Sequence, residues 1–550
     1  MHNAGMTHPD PLASIGQDNQ PPEFAPRDLW RDDAVLREAL VREGGGDFEQ
    51  PVAGYAALAG SELFALAWDA HRDRPRLRSH DRFGNRIDTV EFHPAYHRLM
   101  QAAIAAGVAG LSWADPRPGS QVARAALSHL HHQAEPGSSC PLTMTHAAVP
   151  VLQQAPPLRA WVEKIVACRY DAADVPVADK AGVTVGMGMT ERQGGSDVRA
   201  NTTTATPLPG GDAYALCGHK WFLSAPMSDG FLVLAQAPGG LTCLLMPRRL
   251  PDGPLNRFRL MRLKDKLGDW SNASSEVEFD RALAWRVGEE GRGVATILQM
   301  VMLTRLDCML GSAGLMRMAL SQALHHCRHR RAFGRALIDQ PLMRNVLADL
   351  AIEAEAATVL AFRVARAVDA APRDPREAAF ARIATALGKY WICRRTPAFV
   401  NEAQECLGGA GYIEESVLPR LYRQAPLNSI WEGSGNIQCL DVLRALSREP
   451  DTGAALLAEF DAAAGIDGAL DLGAADLARA LAAGGTGEAG ARILVERAAL
   501  LLQAALLLRA GSPAAAPFCI SRLGGARGLA FGTLPADVDA DALLSRACPA

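Results

Sequence analysis

The feature that most constrains the fold is a change of residue pattern that occurs twice along the chain. From Leu29 to about Val185, apolar residues recur three and four apart, as in "FHPAYHRLMQAAIAAGVAGL", which predicts helices. Between about Val183 and Gly288, short apolar and aromatic runs alternate with Gly, Pro, Asp and Asn, which predicts a compact β domain. Helical patterns of bundle length return from Gly293. The chain must therefore place a β unit between two helical units.

These changes of pattern divide the chain into five predicted segments. The first segment is polar and proline-rich, and the last is rich in Ala, Leu and Gly and contains no Lys. Helices and strands in separate blocks place the fold in the α+β class. The segments are a flexible N-terminal segment (1–26), an N-terminal helical domain (27–184), a middle β domain (185–290), a C-terminal helical bundle (291–448) and an extra helical domain (449–550).

Composition limits the classes of function. With 550 residues, 49% of them hydrophobic and 21% charged, the chain has the composition of a globular protein. It contains no run of 18 apolar residues, and its first residues lack the basic start and following apolar stretch of a secretory signal. We therefore expect a cytoplasmic protein with no membrane span. The 11 cysteines form no C-x-x-C pair, which indicates reduced thiols rather than structural zinc or disulfides. A net charge of −4 leaves only a local basic patch to support nucleic acid binding.

The stretch "NSIWEGSGNI", residues 428–437, contains one carboxylate, Glu432, between an aromatic residue and glycines. A periodic helical segment follows directly, so Ser434 or Asn436 could cap the helix. The backbone freed by Gly433 would then direct N–H groups at whatever lies above the helix start. From these residues alone two interpretations stay open: a solvated acid on a surface loop, and a base positioned at a helix start.

A second loop, "GMGMTERQGGSDVRANTT", opens the predicted β domain at residues 186–203. Its glycines expose backbone N–H groups beside Thr and Ser hydroxyls, an arrangement suited to a phosphate or to the polar edge of a flavin ring. The loop is neither a G-x-x-x-x-G-K-[ST] loop nor a G-x-G-x-x-G fingerprint. By composition alone it is more typical of a turn.

Two histidine clusters invite a metal or nucleic acid interpretation. They are "HLHH" at residues 129–132 and "HHCRHRR" at residues 325–331. Both lie within helical patterns, so we interpret the first as a helix face and the second as the charged end of a long helix. We therefore predict no metal site.

Four motifs together resemble the acyl-CoA dehydrogenase family. In family order and near family spacing, they are "MTERQGGSD", "GHKWFLS", "RRAFG" with "QECLGGAGY", and "IWEGSGNIQ". The resemblance covers about residues 30–450. Within the family, the chain is most similar to the AidB-type branch of adaptive-response flavoproteins, which are related to isovaleryl-CoA dehydrogenases. The similarity lies in the segments "FHPAYHRLMQAA" and "CPLTMTHAAVP" and in the extra C-terminal stretch. The resemblance implies the three-domain acyl-CoA dehydrogenase fold plus one additional helical domain.

The resemblance also implies a reaction. Glu432 would remove the α-proton of an acyl-CoA while a hydride leaves Cβ for N5 of FAD. Shielding by Trp431 would make the carboxylate more basic. In the family, the thioester carbonyl is hydrogen-bonded by the backbone N–H of the base residue and by a flavin hydroxyl. We expect a short or branched substrate such as isovaleryl-CoA. Trp431 replaces the usual Tyr and "RQAPLNS" replaces an Asp-Ala pair, so the pocket is altered and turnover is expected to be weak.

The resemblance assigns the cofactor contacts by motif. Those expected within one subunit are Met189, Thr190, Gly195, Ser196, Trp221, Phe222, Leu223, Ser224, Trp431, Gly433, Ser434 and Asn436. Those expected to hold the FAD of a neighbouring subunit are Arg330, Phe333, Gln340, Gln404, Gly408 and Gly409. Sharing of the cofactor implies a homo-oligomer, expected to be a tetramer. Gln340 lies one residue nearer Phe333 than in the family, and the sequence does not identify the electron acceptor.

The same branch implies a second function. Its added domain is associated with binding double-stranded DNA during the response to alkylation damage. A protein with this function would have a weak or vestigial redox site. The candidate phosphate contacts are Arg444, Arg448, Arg522 and Arg527. The intact Glu432 favours the dehydrogenase function, and the extra domain favours the DNA-binding function. The net negative charge of that domain counts against DNA binding.

Overall fold

The computed structural model describes residues 19–24, 27–484, 487–526 and 528–547. Helical, β and helical units follow one another along the chain, as the residue pattern predicts. Helices before and after the β unit share one continuous hydrophobic core, while two smaller cores fill the β unit and its junction with the helices.

The first helical unit begins with a capped helix, in which the side chain of Asp33 accepts a hydrogen bond from the N–H of Leu36. The unit also contains an antiparallel pair of strands that the residue pattern did not predict, in which Leu77 lies opposite Val90. The helices are α1 (Ala34–Arg42), α2 (Glu49–Leu58), α3 (Phe64–Arg72), α4 (Pro94–Ala105), α5 (Leu111–Ala114), α6 (Ser120–Ala134), α7 (Ser139–Leu152) and α8 (Arg159–Val166), and the strands are β1 (Arg76–His80) and β2 (Arg86–Glu91).

The β unit is a small barrel. Its strands are β3 (Val185–Gly188), β4 (Thr204–Pro207), β5 (Ala213–Ser224), β6 (Gly230–Ala237), β7 (Gly240–Pro247), β8 (Phe258–Leu263) and β9 (Ser274–Val287). Pairing runs from β6 through β4, β5, β9 and β7 back to β6, which closes the ring. β3 pairs with β6 in parallel, and β8 pairs with β9. Leu223, Phe231 and Leu244 are among the residues that fill the interior.

The second helical unit is built around one long helix. Its elements are α9 (Gly293–His329), β10 (Arg331–Ala332), β11 (Arg335–Ala336), α10 (Pro341–Ala370), α11 (Pro375–Cys406), α12 (Leu418–Gln424) and α13 (Gly435–Arg448). Among the described residues, α9 alone is long and apolar enough to cross a bilayer, but 72% of its most apolar window is buried inside the protein. α9 packs against α6, α7, α10 and α11, so it is the core helix of the bundle.

The C-terminal helices pack directly on this bundle. They are α14 (Pro450–Asp461), α15 (Gly468–Ala482), α16 (Ala491–Arg509), α17 (Ala515–Phe518) and α18 (Ala540–Ala547). α14, α16 and α18 lie against α10 or α11 and share their hydrophobic core. A buried ion pair from Arg363 to Glu459, 2.6 Å, joins α10 to α14. The extra helices therefore form one body with the bundle.

The predicted flexible N-terminal segment is described only in part, since residues 1–18 and 25–26 lie outside the described residues. The described residues 19–24 pack on the end of α9. His325 Nε2 lies 2.9 Å from the carbonyl oxygen of Pro22, and the rings of Phe24 and His325 meet edge to face. These residues thus make specific contacts, and the flexibility of the segment stays a prediction.

Candidate active site

The loop that carries Glu432 packs against α9. Glu432 has a φ of +58° and Gly433 a φ of +93°, so the backbone is left-handed at both positions. The hydroxyl of Thr304 donates a hydrogen bond of 2.6 Å to Glu432 Oε2. The carboxylate is thus held by a buried residue of the core helix, which excludes its interpretation as a solvated acid on a surface loop.

The surroundings of Glu432 make its carboxylate more basic. Burial raises the pKa of Glu432, because removal from water disfavours the charged form. The hydrogen bond from Thr304 and the positive charges of Lys389 and Arg305 act in the opposite direction, with smaller effect. A carboxylate with a raised pKa is a better acceptor for a weakly acidic proton.

Three buried side chains hold the carbonyl oxygens of the base loop. Lys389 Nζ donates to the carbonyls of the residues before and after Glu432, at 2.6 and 2.5 Å. Arg305 Nε and Gln438 Nε2 both donate to the carbonyl of Glu432 itself, each at 3.0 Å. The charge of Arg305 is balanced by Asp441 at 2.7 Å. Thr304, Arg305 and Lys389 were not predicted, since no local motif surrounds them, and Gln438 was not singled out although it ends the motif "IWEGSGNIQ".

The extra helices reach the start of α13. α13 begins at Gly435, and Ser434 occupies the capping position without a side-chain hydrogen bond to the helix. The carboxamide oxygen of Asn436 accepts a hydrogen bond of 2.8 Å from Arg492 Nε of α16. Neither side chain therefore caps the helix, which corrects that prediction, and Arg492 places a positive charge beside the base loop.

The glycine-rich loop after β3 is tied to strand β5. The N–H of Trp221 donates to the carbonyl of Thr190 at 2.8 Å. A Cβ at Gly195 would lie 2.5 Å from Thr190 Oγ1, so the loop folds too tightly for a larger residue. Met189 is half-buried and Ser196 is exposed. The predicted hydroxyl and N–H groups are thus gathered in one compact turn.

The end of β5 presents an aromatic face. Phe222 is 48% exposed, and the ammonium of Lys264 lies 3.6 Å from the centre of a ring of Trp221 and 4.6 Å from that of Phe222. Leu223, predicted to contact the cofactor, is buried in the barrel interior, because alternate residues of a strand point to opposite faces. The exposed ring, the hydroxyl of Ser224 and the loop donors match a flat aromatic cofactor with a polar edge, so these residues fit FAD.

Cys140 of α7 connects the two halves of the site. Its thiol lies within hydrogen-bonding reach of Ser224, and the charge of Glu432 acts on it. Burial raises the pKa of Cys140 to about 12, so the thiol is neutral. Ser224 also contacts Ser274 Oγ at 3.3 Å, which accepts from Lys266 Nζ at 3.2 Å. Trp431 of the base loop packs against the same hydrophobic cluster as Cys140, so Cys140 lies between the cofactor strand and the base loop.

The residues predicted to hold a neighbouring subunit's FAD lie elsewhere on the chain. Phe333, with a φ of +51°, is 99% exposed at the tip of the β10–β11 hairpin. Arg330 Nη1 donates to the carbonyl of Asn19 at 2.7 Å, and Gln340 Nε2 to that of Ala332 at 2.9 Å. Thr304, which contacts Glu432, lies about 26 residues before the hairpin along α9. At the rise of an α-helix, this separation is about 39 Å.

The glycine turn that follows α11 lies beside this hairpin. The side chain of Gln404 is buried and donates to the carbonyl of Gly411 at 2.7 Å, which holds the turn containing Gly408 and Gly409. The thiol of Cys327, near the end of α9, contacts the carbonyl of Cys406 at the end of α11. One chain thus gathers the second set of predicted contacts at one place but does not bring them to Glu432.

The four arginines predicted to contact DNA have different surroundings. Arg444 and Arg448 are exposed on α13, and Arg444 lies 3.6 Å from Asp441. Arg522 is fully buried and forms ion pairs with acids of α10, so it cannot reach a phosphate and that prediction is wrong. Arg527 lies outside the described residues.

The histidines of "HLHH" have partners within the fold. His131 contacts Tyr55 and Ser138 at 2.6 and 2.9 Å, and His132 Nδ1 lies 2.8 Å from the carbonyl of Ser128. Within the described ranges, no group of three or more His, Cys, Asp or Glu is placed to hold a metal ion. The cluster belongs to the core of α6.

Comparison with known proteins identifies the family. The profile of the AidB N-terminal domain matches residues 19–172, that of the acyl-CoA dehydrogenase middle domain residues 186–282, and that of the C-terminal domain residues 291–447. The fold and the site are those of an acyl-CoA-oxidising flavoprotein, and the chain belongs to the acyl-CoA dehydrogenase family, in its AidB-type branch. Members of this family are FAD flavoproteins, so the predicted fold and cofactor are confirmed.

Individual relatives agree with this assignment. AidB of Escherichia coli is 51% identical over 437 residues, which cover 78% of this chain and 80% of that protein. Acyl-CoA dehydrogenase family member 11 of Caenorhabditis elegans is 33% identical over 438 residues, 76% of this chain and 70% of that protein. The crystal structure of Caenorhabditis elegans ACDH-11 in complex with C11-CoA matches with a TM-score of 0.81 and 26% identity, over 96% of this chain and 92% of that one.

Proposed function

We propose that this protein dehydrogenates the Cα–Cβ bond of a short or branched acyl-CoA, such as isovaleryl-CoA, with Glu432 as the base that removes the α-proton. One observation carries the proposal: a half-buried carboxylate of raised pKa, oriented by Thr304, acts on Cys140, whose thiol also approaches Ser224 at the end of the cofactor strand. Removal of a weakly acidic α-proton requires such a base opposite the hydride acceptor.

Each group of the chain has a defined task in this proposal. Glu432 accepts the α-proton on its carboxylate while Thr304 fixes the orientation of the carboxylate. FAD, when bound against Phe222 and Ser224, supplies the acceptor for the hydride that leaves Cβ. Within the described parts of the chain, no group accepts a hydrogen bond from the N–H of Glu432, so this N–H is free to bind the thioester carbonyl.

The test is the absorbance of oxidised flavin in the FAD-loaded protein, mixed without oxygen with CoA thioesters. Isovaleryl-CoA, butyryl-CoA and a C11 thioester form the panel, the last because a relative was crystallised with C11-CoA. Rapid bleaching that Glu432→Gln abolishes supports the proposal. Absence of bleaching with every thioester, although FAD is bound, would refute it. We expect weak turnover, because Trp431 and the segment before it alter the pocket.

We also propose that the active species is a homo-oligomer, most simply a tetramer, in which each subunit holds part of its neighbour's FAD. Large apolar side chains beside the hairpin and the glycine turn support this, since Phe333, Leu342 and Tyr412 are 99%, 84% and 82% exposed. Light scattering should give four times the subunit mass. Phe333→Ser should lower the mass and release FAD; a monomer that retains FAD would contradict the proposal.

A second candidate function is binding of double-stranded DNA in the alkylation response. It is supported by the exposed Arg444 and Arg448 at the end of α13 and by the match to the adaptive-response AidB N-terminal domain. The burial of Arg522 and the acidic C-terminal segment count against it. Binding that falls steeply with salt, and that Arg444→Ala weakens while Arg497→Ala does not, would support it. Absent or salt-insensitive binding would exclude it.

A further inference from the structure

Lys389 is an unusual buried cation. Only 1% of its surface is exposed, and Nζ contacts the carbonyl oxygens of Trp431 and Gly433. Two other buried lysines, Lys180 and Lys220, have a carboxylate within 3.0 Å. Within the described residues, Lys389 has no carboxylate within 4.0 Å. A buried charge is costly unless it is paired, so placing this ammonium on neutral carbonyls requires a reason.

The reason lies in the geometry of the peptide group. The C=O and N–H of one trans peptide point in opposite directions. The carbonyl of Trp431 shares its peptide plane with the N–H of Glu432. Because Lys389 draws this carbonyl inward, between α11 and the loop, the N–H of Glu432 must point away from Lys389. A second bond, to the carbonyl of Gly433, holds the peptide that joins Gly433 to Ser434.

The loop also requires such a restraint for its own conformation. A residue other than glycine in the left-handed region is strained by about 1–2 kcal/mol, and Glu432 has a φ of +58°. With the carbonyl of Trp431 released, the peptide before Glu432 could rotate and relieve part of this strain. Rotation would turn the N–H of Glu432 and redirect its carboxylate. Arg305 and Gln438 hold only the carbonyls of Glu432 and Gly433, so they do not replace Lys389 at the peptide before the base.

We propose that Lys389 is a positioning residue of the reaction, which holds the peptide before Glu432 so that its N–H is presented to the thioester carbonyl oxygen. The inference rests on the proposed dehydrogenase function. Negative charge grows on this oxygen as the α-proton leaves, so the hydrogen bond strengthens in the transition state. Loss of Lys389 should therefore reduce the rate constant much more than it weakens binding of the substrate.

The experiment compares Lys389→Met, which keeps the length but has no donor, with Lys389→Arg, which keeps the charge and donors. Lys180→Met is the matched control, because it also removes a buried lysine but one that contacts Asp229, away from the base loop. Anaerobic flavin bleaching is measured against isovaleryl-CoA concentration. For Lys389→Met we expect a maximal rate about 100-fold lower with less than a threefold change in half-saturating concentration. Lys389→Arg should recover part of the rate, and Lys180→Met should bleach like the parent protein.

Amide hydrogen exchange provides a readout that does not depend on activity. Lys389→Met should exchange faster than the parent protein in peptides covering residues 429–436, and Lys180→Met should not. An unchanged maximal rate, or unchanged exchange in these peptides, would overturn the positioning role. If the parent protein itself does not bleach, the proposed function fails and the exchange result alone decides the role of Lys389. Lys389→Gln, a smaller neutral donor, replaces Lys389→Met if the latter does not fold.

Discussion

Thr304→Val tests how the fold controls the base. The hydroxyl of Thr304 carries one proton and has two acceptors in reach, Glu432 Oε2 at 2.6 Å and the carbonyl of Val301 at 3.0 Å. The shorter contact, to a carboxylate, is the stronger one. Valine has nearly the shape of threonine but no donor, so the substitution removes this bond while leaving little empty space.

The size of the effect follows from the bond that is lost. A hydrogen bond to a charged group contributes about 1.5–3 kcal/mol, and 1.4 kcal/mol corresponds to a factor of about ten in an equilibrium constant. The bond from Thr304 lowers the pKa of Glu432, so its removal should raise that pKa further. The carboxylate must be deprotonated to act as a base. The rate of flavin bleaching should therefore rise with pH as in the parent protein, but with its rising limb displaced to higher pH.

Stopped-flow bleaching with isovaleryl-CoA across the pH range measures this displacement. At acidic pH, Thr304→Val should be about tenfold or more slower than the parent protein, and at alkaline pH the two should approach one another. Thr385→Val is the control, because it removes an equally buried hydroxyl that bonds only within α11. A rising limb that stays in place, or moves to lower pH, would refute the assignment of Thr304 and Glu432.

Three further predictions concern stability and the cofactor. Arg522→Ala should lower the free energy of unfolding by about 3–5 kcal/mol in chemical denaturation, because the buried Asp349 loses its ion-pair partner and Glu353 keeps only Arg395; a loss below about 1 kcal/mol would contradict its structural role. Arg492→Ala should weaken FAD binding roughly threefold in fluorescence titration, whereas Arg497→Ala, on the same helix, should not. Burial lowers the pKa of His129 and His131 to about 4, against about 6.5 in the unfolded chain, so protonation favours unfolding and the thermal midpoint should fall as the pH drops from about 6.5 towards 4; a constant midpoint between pH 7 and 5 would exclude this.

Much of the architecture could be predicted from residue patterns. The change to short apolar runs near Val183 predicted a compact β domain, and the long helical patterns after Gly293 predicted the bundle. The hairpin at residues 76–91 was missed, because its strands are short and rich in Arg, without a clear apolar alternation. The extra helices, predicted as a separate domain, share a hydrophobic core with the bundle.

The site could be predicted only where its residues lie in one motif. Glu432 and Phe222 are marked by their neighbours in the chain. Leu223 was assigned to the cofactor with its whole motif, although strand alternation turns it into the barrel. Arg522 was assigned to DNA by charge, although charge alone does not say whether a side chain is exposed or paired inside the fold.

The sequence by itself determined the order of helical and β units and marked Glu432 as the candidate base, because periodicity and short motifs are local properties. Only the tertiary structure decided which groups surround that base. Thr304 is 128 residues from Glu432, and Lys389 is 42 residues from Trp431. Such contacts depend on how α9 and α11 pack against the loop, and helix packing is set by side chains along whole faces. The chemistry of one carboxylate thus depends on distant residues that no local pattern could identify.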